Sequence, residues 1–370
     1  MIEFCPESAT AHIGCMRKRI CLIHTDYPHW AEYSGYHQLI RYISSEQFLV
    51  EVQIVPMGDN HFPIANSKLR LYIRDLIRRY GTKAYDLNDL VAEMAAMRKW
   101  WSRGFDLLHY LDGEHSLQLL PFVLTSLSCL RARPPIVATF HQPGAKLDSL
   151  LNTKAVRLLD HVIVLSPEQI SYFEQFLPAD KISLMLHGID VDHYTPGLQQ
   201  KEKRRFKCIT VGSWLRDYET VLGVAKTLHS YRDIEFHIVS PDLSKNDLPK
   251  NVYVYSNLDD NDLVKMYQDS HVLFMPFLDA TANNALLEGI ACGLPVVSSD
   301  LPAVKAYVPG QEAILVKDNN HDQLASALLE LHQNRNRLAE MGIHARQRSL
   351  ELSWQKIVPE LESIYSGLLQ

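Results

Sequence analysis

A short run between residues 280 and 297, ATANNALLEGIACGLPVV, could bind a ligand, and Glu288 is its one charge. Asn283 or Asn284 is suited to cap the helix that follows, since asparagine is a favoured N-cap. Free N–H groups and the positive dipole end at a helix start bind phosphate. Glu288, one turn into the helix, leans back toward that end, where its carboxylate could accept hydrogen bonds from sugar or ribose hydroxyls. The pattern indicates a nucleotide-sugar site; alternatively, Glu288 points into solvent or forms a salt bridge elsewhere.

Apolar runs of strand length alternate with helical patterns along the whole chain, which is typical of βαβ units and parallel sheets. One series occupies 20–24, 50–56, 107–111, 135–140 and 161–165. A second series occupies 207–212, 234–240, 251–256, 271–277, 295–300 and 313–317. The polar segment 187–206 separates them and is typical of a linker. We therefore expect an α/β protein with two Rossmann-like domains, whose ligands bind at the carboxyl ends of the strands.

The composition narrows the class of protein. With 370 residues, 46% of them apolar, the chain can bury two cores. The net charge of −6 gives no global attraction to nucleic acid. Six cysteines without a CxxC pair indicate reduced thiols rather than a zinc site or disulfide framework. Because no apolar run has the length of a signal peptide or membrane span, we expect a soluble cytoplasmic protein.

Two acidic pairs fit the DxD pattern that binds metal in some glycosyltransferases. They are Asp190 with Asp192, and Asp260 with Asp262. The second pair precedes an apolar helical pattern and is better suited to capping a helix. No His/Cys cluster accompanies either pair, so we expect no metal site.

Four segments, in order, resemble the GT-B glycosyltransferases of glycosyltransferase family four. They are RLLDHVIVLSPEQ, KISLMLHGIDVDHYTPG, CITVGSWLRDYETVLGVAK and LFMPFLDATANNALLEGIACGLPVVSSD. The resemblance covers most of residues 105 to 350. It implies a GT-B fold with parallel sheets facing across a cleft, an acceptor domain at 17–192 and a nucleotide-sugar domain at 200–352. The last helix, 353–370, is expected to pack back on the first domain.

The same resemblance implies a retaining glycosyltransferase that moves a hexose-like sugar to an acceptor hydroxyl without a metal or cofactor. Its donor would be a UDP-, GDP- or ADP-linked sugar, and its acceptor a small molecule, a glycan or a lipid-linked sugar. Two alternatives remain open. One is a GT-B sugar-nucleotide epimerase, and the other is a catalytically weak or inactive nucleotide-sugar-binding module.

Two positions depart from the family pattern around the donor. Glu288 matches the second glutamate of a Glu-(seven residues)-Glu signature, which usually holds the ribose, but position 280 is alanine, with Asp279 beside it. Family members usually place an arginine and a lysine where this chain has Ser213 and Tyr218. The one cation in that loop, Arg216, is therefore expected to stabilise the leaving diphosphate. The alternative is a surface pair with a neighbouring acid.

The first domain contributes further candidates. His141 ends the predicted strand 135–140, where the family places a histidine that contacts the donor sugar or the reacting centre. We expect His141 to donate to a sugar hydroxyl or to the departing phosphate. Gly35 matches a glycine-rich loop that approaches the donor phosphate, and Glu114 or His115 could face the acceptor. The complete set expected to bind the nucleotide sugar is Gly35, Ser213, Trp214, Asn257, Leu258, Asp279, Asn283 and Asn284, beside catalytic His141, Arg216 and Glu288.

Residues 68–83 form a basic amphipathic pattern. Arg70, Arg74 and Arg78 fall on one face and apolar residues on another, and Trp100 and Trp101 follow along the chain. Such a helix can lie on anionic lipid, so one hypothesis is peripheral binding to the inner face of a membrane. The alternative is a surface helix that packs on its own sheet.

Overall fold

The computed structural model describes residues 17–27, 32–59, 61–80, 84–102, 104–197, 205–244 and 247–370. The end of the predicted basic helix, 81–83, and the expected domain start at residue 200 lie outside these ranges. Within them the chain forms two parallel sheets flanked by helices, so the predicted α/β fold with two Rossmann-like sheets is confirmed.

The first sheet has six strands within the described residues, in the order β2-β1-β3-β4-β5-β6. Its strands are β1 (Lys18–Asp26), β2 (Phe48–Pro56), β3 (Leu107–Tyr110), β4 (Ile136–Phe140), β5 (His161–Val164) and β6 (Ile182–Leu184). Strands β3, β4 and β5 are buried along their whole length because helices cover both faces. The edge strand β6 is absent from the predicted runs because it has only three residues, none of them fully buried.

The second sheet also has six strands in the described part of the chain, in the order β12-β11-β10-β7-β8-β9. They are β7 (Phe206–Val211), β8 (Ile234–Val239), β9 (Val252–Tyr255), β10 (Val272–Met275), β11 (Val296–Ser299) and β12 (Ala313–Val316). The chain order reverses between β7 and β10, which is where an open parallel sheet binds its ligands.

The α-helices connect these strands. In the first half of the chain they are α1 (Ser67–Tyr80), α2 (Leu87–Ser102), α3 (Gly113–Ser116), α4 (Leu120–Ser126), α5 (Gly144–Leu150), α6 (Thr153–Val156) and α7 (Pro167–Phe173). In the second half they are α8 (Tyr218–Thr227), α9 (Asp260–Asp269), α10 (Asn284–Ala291), α11 (Pro302–Tyr307), α12 (His321–Gln333), α13 (Arg335–Glu351) and α14 (Trp354–Leu368). Short 3₁₀ segments occupy Tyr36–Tyr42, Ala179–Lys181 and Lys317–Asn319. None of the helices described here has the length and apolar character needed to cross a bilayer.

Helix α14 lies against the first sheet although it follows the second in sequence. Its Tyr365 hydroxyl is 2.6 Å from Nδ1 of His109 in β3. Glu362 accepts a 2.6 Å hydrogen bond from the main-chain N–H of Ser44. Trp354, at the start of the helix, leaves no room for a Cβ at Gly188. The last helix therefore completes the core of the first domain.

A second group of contacts joins the two domains directly. The Tyr307 hydroxyl in α11 donates to the carbonyl of Leu165 at 2.9 Å and accepts from the N–H of His187 at the same distance. Glu168 in α7 accepts from the N–H of Ala303 at 3.2 Å. These contacts hold the carboxyl ends of the two sheets face to face.

Candidate active site

The loops after β1, β3 and β4 of the first domain meet the loops after β7 and β10 of the second. Ser34 reaches Glu288 across this boundary, and the Thr281 hydroxyl donates to the carbonyl of His141. Lys146 lies over the ring of Trp214, 5.9 Å from its centroid. The carboxyl ends of both sheets therefore form one cleft, which is the candidate site.

Helix α10 begins at the mouth of this cleft. Asn283 is its N-cap, with extended backbone and a side chain that accepts from the N–H of Leu286 at 3.1 Å. The same side-chain oxygen accepts from Nη2 of Arg216, also at 3.1 Å. The helix start thus carries both a positive dipole end and a guanidinium group. Asn284 is the first helical residue and is half-buried.

Glu288 lies one turn into α10 and is only 4% exposed. Its Oε1 accepts from the hydroxyl of Ser34 at 2.5 Å, and its Oε2 accepts from the hydroxyl of Tyr267 in α9 at 2.7 Å. Burial raises the pKa of the carboxyl above its ordinary value, and these hydrogen bonds oppose part of the rise. The acid therefore faces the cleft with both oxygens held by hydroxyl groups.

The partners of Glu288 are residues that sequence reasoning missed. Ser34 lies 254 positions away in the chain and Tyr267 lies 21 away, so local spacing gives no signal for either. Ser34 was noticed only as the neighbour of Gly35. That an acid can be satisfied by hydroxyls as well as cations is the clue that could have led to them.

Arg216 is buried, although the sequence allowed a surface ion pair. Its Nε donates to the carbonyl of Val211 at 2.9 Å and its Nη1 to the carbonyl of Trp214 at 2.8 Å. Its guanidinium also lies 4.8 Å from the ring centroid of Phe277. Burial lowers the pKa of Arg216 to about 10, so the group is still a cation at neutral pH. Within the described ranges no carboxylate forms an ion pair with it.

The loop from Gly212 to Arg216 is shaped to hold this guanidinium. Gly212 has a φ of +85°, and a Cβ at that position would lie 2.9 Å from Nη2 of Arg216. Tyr218, which replaces the lysine of the family pattern, donates its hydroxyl to the carbonyl of Gly212. Ser213 is half-buried, whereas Trp214 is exposed beside the cleft. The loop therefore presents one fixed cation rather than two.

His141 is fixed by the loop after β3. Its Nε2 is 2.7 Å from the carbonyl of Leu111, and its main-chain N–H donates to Glu114 at 3.0 Å. Because a carbonyl only accepts, Nε2 carries the proton and the neutral ring presents Nδ1 as an acceptor. The side chain donates to a ligand only as an imidazolium, whose charge Asp112, 3.9 Å away, would stabilise.

Asp112 is a second residue that the sequence did not single out. Its Oδ2 accepts from the N–H of Thr25 at 2.9 Å and lies 3.2 Å from Nδ1 of His24. Although burial raises its pKa, the hydrogen bond from His24 and the charge of His141 leave it below the ordinary value. The carboxylate thus ties the loop after β3 to the end of β1.

The remaining predicted residues differ in their closeness to this centre. Gly35, with a φ of +102°, opens the 3₁₀ segment and adjoins Ser34 at the cleft. Asp279 accepts from the N–H of Ala280, which is buried.

Asn257 and Leu258 follow β9, the edge strand of the second sheet. Asn257 is exposed and has a φ of +57°. The described contacts do not join either residue to the centre at Arg216 and Glu288.

Both DxD pairs serve local structure. Asp190 accepts from the main-chain N–H groups of Asp192 and His193, each at 3.0 Å. Asp260 and Asp262 open α9, and Asp260 accepts from the N–H of Glu32 at 2.8 Å. Among the described residues no group of three metal-ligating side chains comes together.

Comparison with known proteins agrees with this architecture. The model for Glycosyltransferase Family 4 matches residues 36–193, and the model for Glycosyl transferases group 1 matches residues 205–334. The chain is a member of the GT-B glycosyltransferases. The two models match the two domains of this GT-B glycosyltransferase in turn, and the cleft lies between them.

Individual relatives of this GT-B glycosyltransferase are distant. An MMP alpha-(1->4)-mannosyltransferase from Mycolicibacterium hassiacum is 24% identical over 48% of this chain and 46% of its own. This GT-B glycosyltransferase covers 24% to 57% of the lengths of the first four curated relatives.

Solved structures show the fold. Sucrose-phosphate synthase from Thermosynechococcus elongatus has a TM-score of 0.68 at 17% identity and covers 95% of this chain and 99% of its own. Anabaena HepE in complex with UDP-glucose has a TM-score of 0.64 at 13% identity and covers 94% and 99%.

Proposed function

We propose that this protein transfers a sugar from a nucleotide-sugar donor to an acceptor hydroxyl, with retention of anomeric configuration and without a metal. The observation that carries the proposal is the pairing of Arg216 with Asn283 at the start of α10. A buried cation whose hydrogen-bond partners are neutral oxygens still favours an anion. A diphosphate at this helix start would meet the guanidinium, the dipole and nearby main-chain N–H groups together.

The proposed reaction follows from these positions. The bond between the anomeric carbon and the diphosphate oxygen breaks, and Arg216 with the α10 N-terminus stabilises the charge that develops on the leaving group. The acceptor oxygen attacks from the same face, and its proton passes to the departing diphosphate. Glu288 would hold the ribose hydroxyls by exchanging its hydrogen bonds to Ser34 or Tyr267 for bonds to the ligand. The joined domains would exclude water and so limit hydrolysis.

The donor is a UDP-, GDP- or ADP-linked sugar in this proposal, and HepE, which shares the fold, has been solved with UDP-glucose. A thermal-shift series with UDP, GDP and ADP identifies the base, since a ligand at a hundred times its Kd adds about 2.7 kcal/mol of stability. Glu288→Gln should weaken the response, whereas Glu312→Gln, a buried glutamate at the opposite end of the second sheet, should leave it unchanged.

Incubation of the enzyme with the matching sugar nucleotide then tests the reaction. Transfer to an acceptor with retained configuration, unaffected by a chelator, supports the proposal. Conversion of the donor in the absence of any acceptor would instead identify an epimerase. Binding without turnover across a broad acceptor panel would identify a nucleotide-sugar-binding module.

We also propose that the acceptor is presented at a membrane surface, as a lipid-linked molecule. The observation is the orientation of α1, which turns its arginines toward the protein and its apolar residues outward. Arg74 pairs with Asp59 at 3.0 Å and Arg78 pairs with Asp86 at 2.5 Å. The outward stripe, consisting of Leu69, Tyr72 and Leu76, is between 42% and 66% exposed. A helix that exposes its apolar side fits insertion into a lipid interface better than purely electrostatic attachment.

A further inference from the structure

A second groove lies in the C-terminal domain, away from the cleft. Its volume of about 760 Å³ is in the range that holds small ligands. His271 and Pro295 line it and immediately precede β10 and β11, so it lies at the amino ends of these strands. The cleft is built at the opposite ends of the same strands. The groove is therefore separate from the candidate active site.

Helix α13 forms one wall of the groove and leaves apolar side chains uncovered there. Ile343 is 67% exposed and Leu350 is 41% exposed, and both line the groove with Leu338. The wall can approach α10 closely because two glycines meet: a Cβ at Gly342 would lie 2.8 Å from the carbonyl oxygen of Gly293. Uncovered apolar residues around a cavity of this size are typical of a binding site.

The charges around the groove have one sign. Arg335 and Arg346 line it, and none of its described lining residues is an aspartate or glutamate. Arg346 donates to three main-chain carbonyls, including that of Ala291 at the end of α10 at 2.8 Å. Within the described ranges neither arginine forms an ion pair. The groove thus combines apolar walls with two cations that carbonyl groups or a ring, rather than carboxylates, accompany.

We propose that this groove is a second binding site, for a small anionic molecule with an apolar or aromatic body. The body would contact Leu338, Ile343 and Leu350, and the anionic group would face Arg335 or Arg346. A neutral apolar ligand would leave the arginine charges unused, and a free inorganic anion would leave the apolar wall exposed. The proposal does not depend on the reaction proposed above, because none of the cleft residues takes part.

Gln347 offers a matched pair of variants. It lines the groove and is exposed, so its replacement leaves the core intact. The fluorescent probe is anilinonaphthalene sulfonate, an anionic aromatic molecule, titrated at low salt into the full-length protein. Gln347→Glu should raise the Kd by about fivefold or more, and Gln347→Lys should leave it equal or lower, because one charge acts on the bound anion over a short distance. Circular dichroism confirms that both variants fold.

Three further arms make the result decisive. Neutral phenylnaphthylamine should bind with the same Kd in both variants, and inorganic phosphate alone should bind weakly. Saturating UDP should not displace the anionic probe. The proposal is overturned if the wild-type protein shows no saturable binding, if the two Gln347 variants bind equally, or if UDP displaces the probe. A failure of UDP to bind at all would count against the proposed function only.

Discussion

The hydroxyl of Ser34 in the first domain donates a 2.5 Å hydrogen bond to the carboxylate of Glu288 in the second. Both side chains are buried. The loop after β1 is therefore tied to the acid that we expect to hold the ribose. In this arrangement the approach of the two domains and the recognition of the donor depend on the same carboxylate.

Replacement of Ser34 by alanine should lower the free energy of unfolding by about 1–3 kcal/mol, because a buried carboxylate oxygen loses a donor. The loss should be larger at pH 8 than at pH 5, since the ionised acid depends most on that donor. Urea denaturation at both pH values measures it. Ser149→Ala removes an exposed hydroxyl that donates to the carbonyl of Lys146, and should change stability by less than about 0.5 kcal/mol. Equal effects of the two substitutions would contradict this account of the contact.

Replacement of Arg216 by lysine should reduce UDP affinity and lower turnover by about a hundredfold or more. The guanidinium is fixed by three hydrogen bonds from three different nitrogens, and a single ammonium group cannot reproduce them. Calorimetric titration with UDP and single-turnover transfer measure the two effects. Arg205→Lys, an exposed residue in the same domain, is the control. Unchanged UDP binding in Arg216→Lys would remove this residue from the donor site.

The stability of the protein should fall as the pH drops from 7 to 5. Burial lowers the pKa of His109 to about 3, below its ordinary 6.5, so the unfolded chain binds the proton first. Stability from this group is complete above the unfolded pKa and is lost as the pH falls toward the folded pKa. The loss between pH 7 and 5 is about 2 kcal/mol for one such histidine. In His109→Gln the difference between urea denaturation at the two pH values should shrink by that amount, whatever the variant's absolute stability. An unaltered difference would show that His109 does not titrate in this way.

Replacement of Leu69, Tyr72 and Leu76 by serine should abolish co-sedimentation with vesicles that contain anionic lipid, because the exposed apolar stripe supplies the buried area. Arg79→Gln, on the exposed side of the same helix, should weaken binding only at low salt. Substitution of Arg70, Arg74 or Arg78 would test folding instead, because Arg74 and Arg78 pair with Asp59 and Asp86 and Arg70 donates to the carbonyl of Asp59. Wild-type protein that does not sediment with vesicles would end the membrane proposal.

Much of the fold could be predicted because its strands are buried on both faces and read as continuous apolar runs. The helix cap at Asn283 could also be predicted, since it depends on neighbours three residues away. Strand β6 could not, as it is short and half-buried. Amphipathicity gave the two faces of α1 but not which one faces the protein, because Asp59 and Asp86 decide that through pairing.

The candidate site was harder to predict for the same reason. The residues that orient its side chains come from other domains or other loops: Ser34 for Glu288, Leu111 for His141 and Asn283 for Arg216. Spacing along the sequence carries no record of such pairs. The resemblance to a family placed the main residues, and only the coordinates gave the tautomer and the hydrogen-bond partners.

The return of α14 to the first sheet constrains how the gene can be divided. An expression fragment that stops within the polar linker would lack Trp354 and Tyr365, and would leave the side of β3 at His109 open to water. Such a fragment should be insoluble, whereas co-expression with a peptide covering 353–370 should rescue it. The chain is thus continuous in sequence but interleaved in space, and its first folding unit cannot be completed until the ribosome has released the last residue.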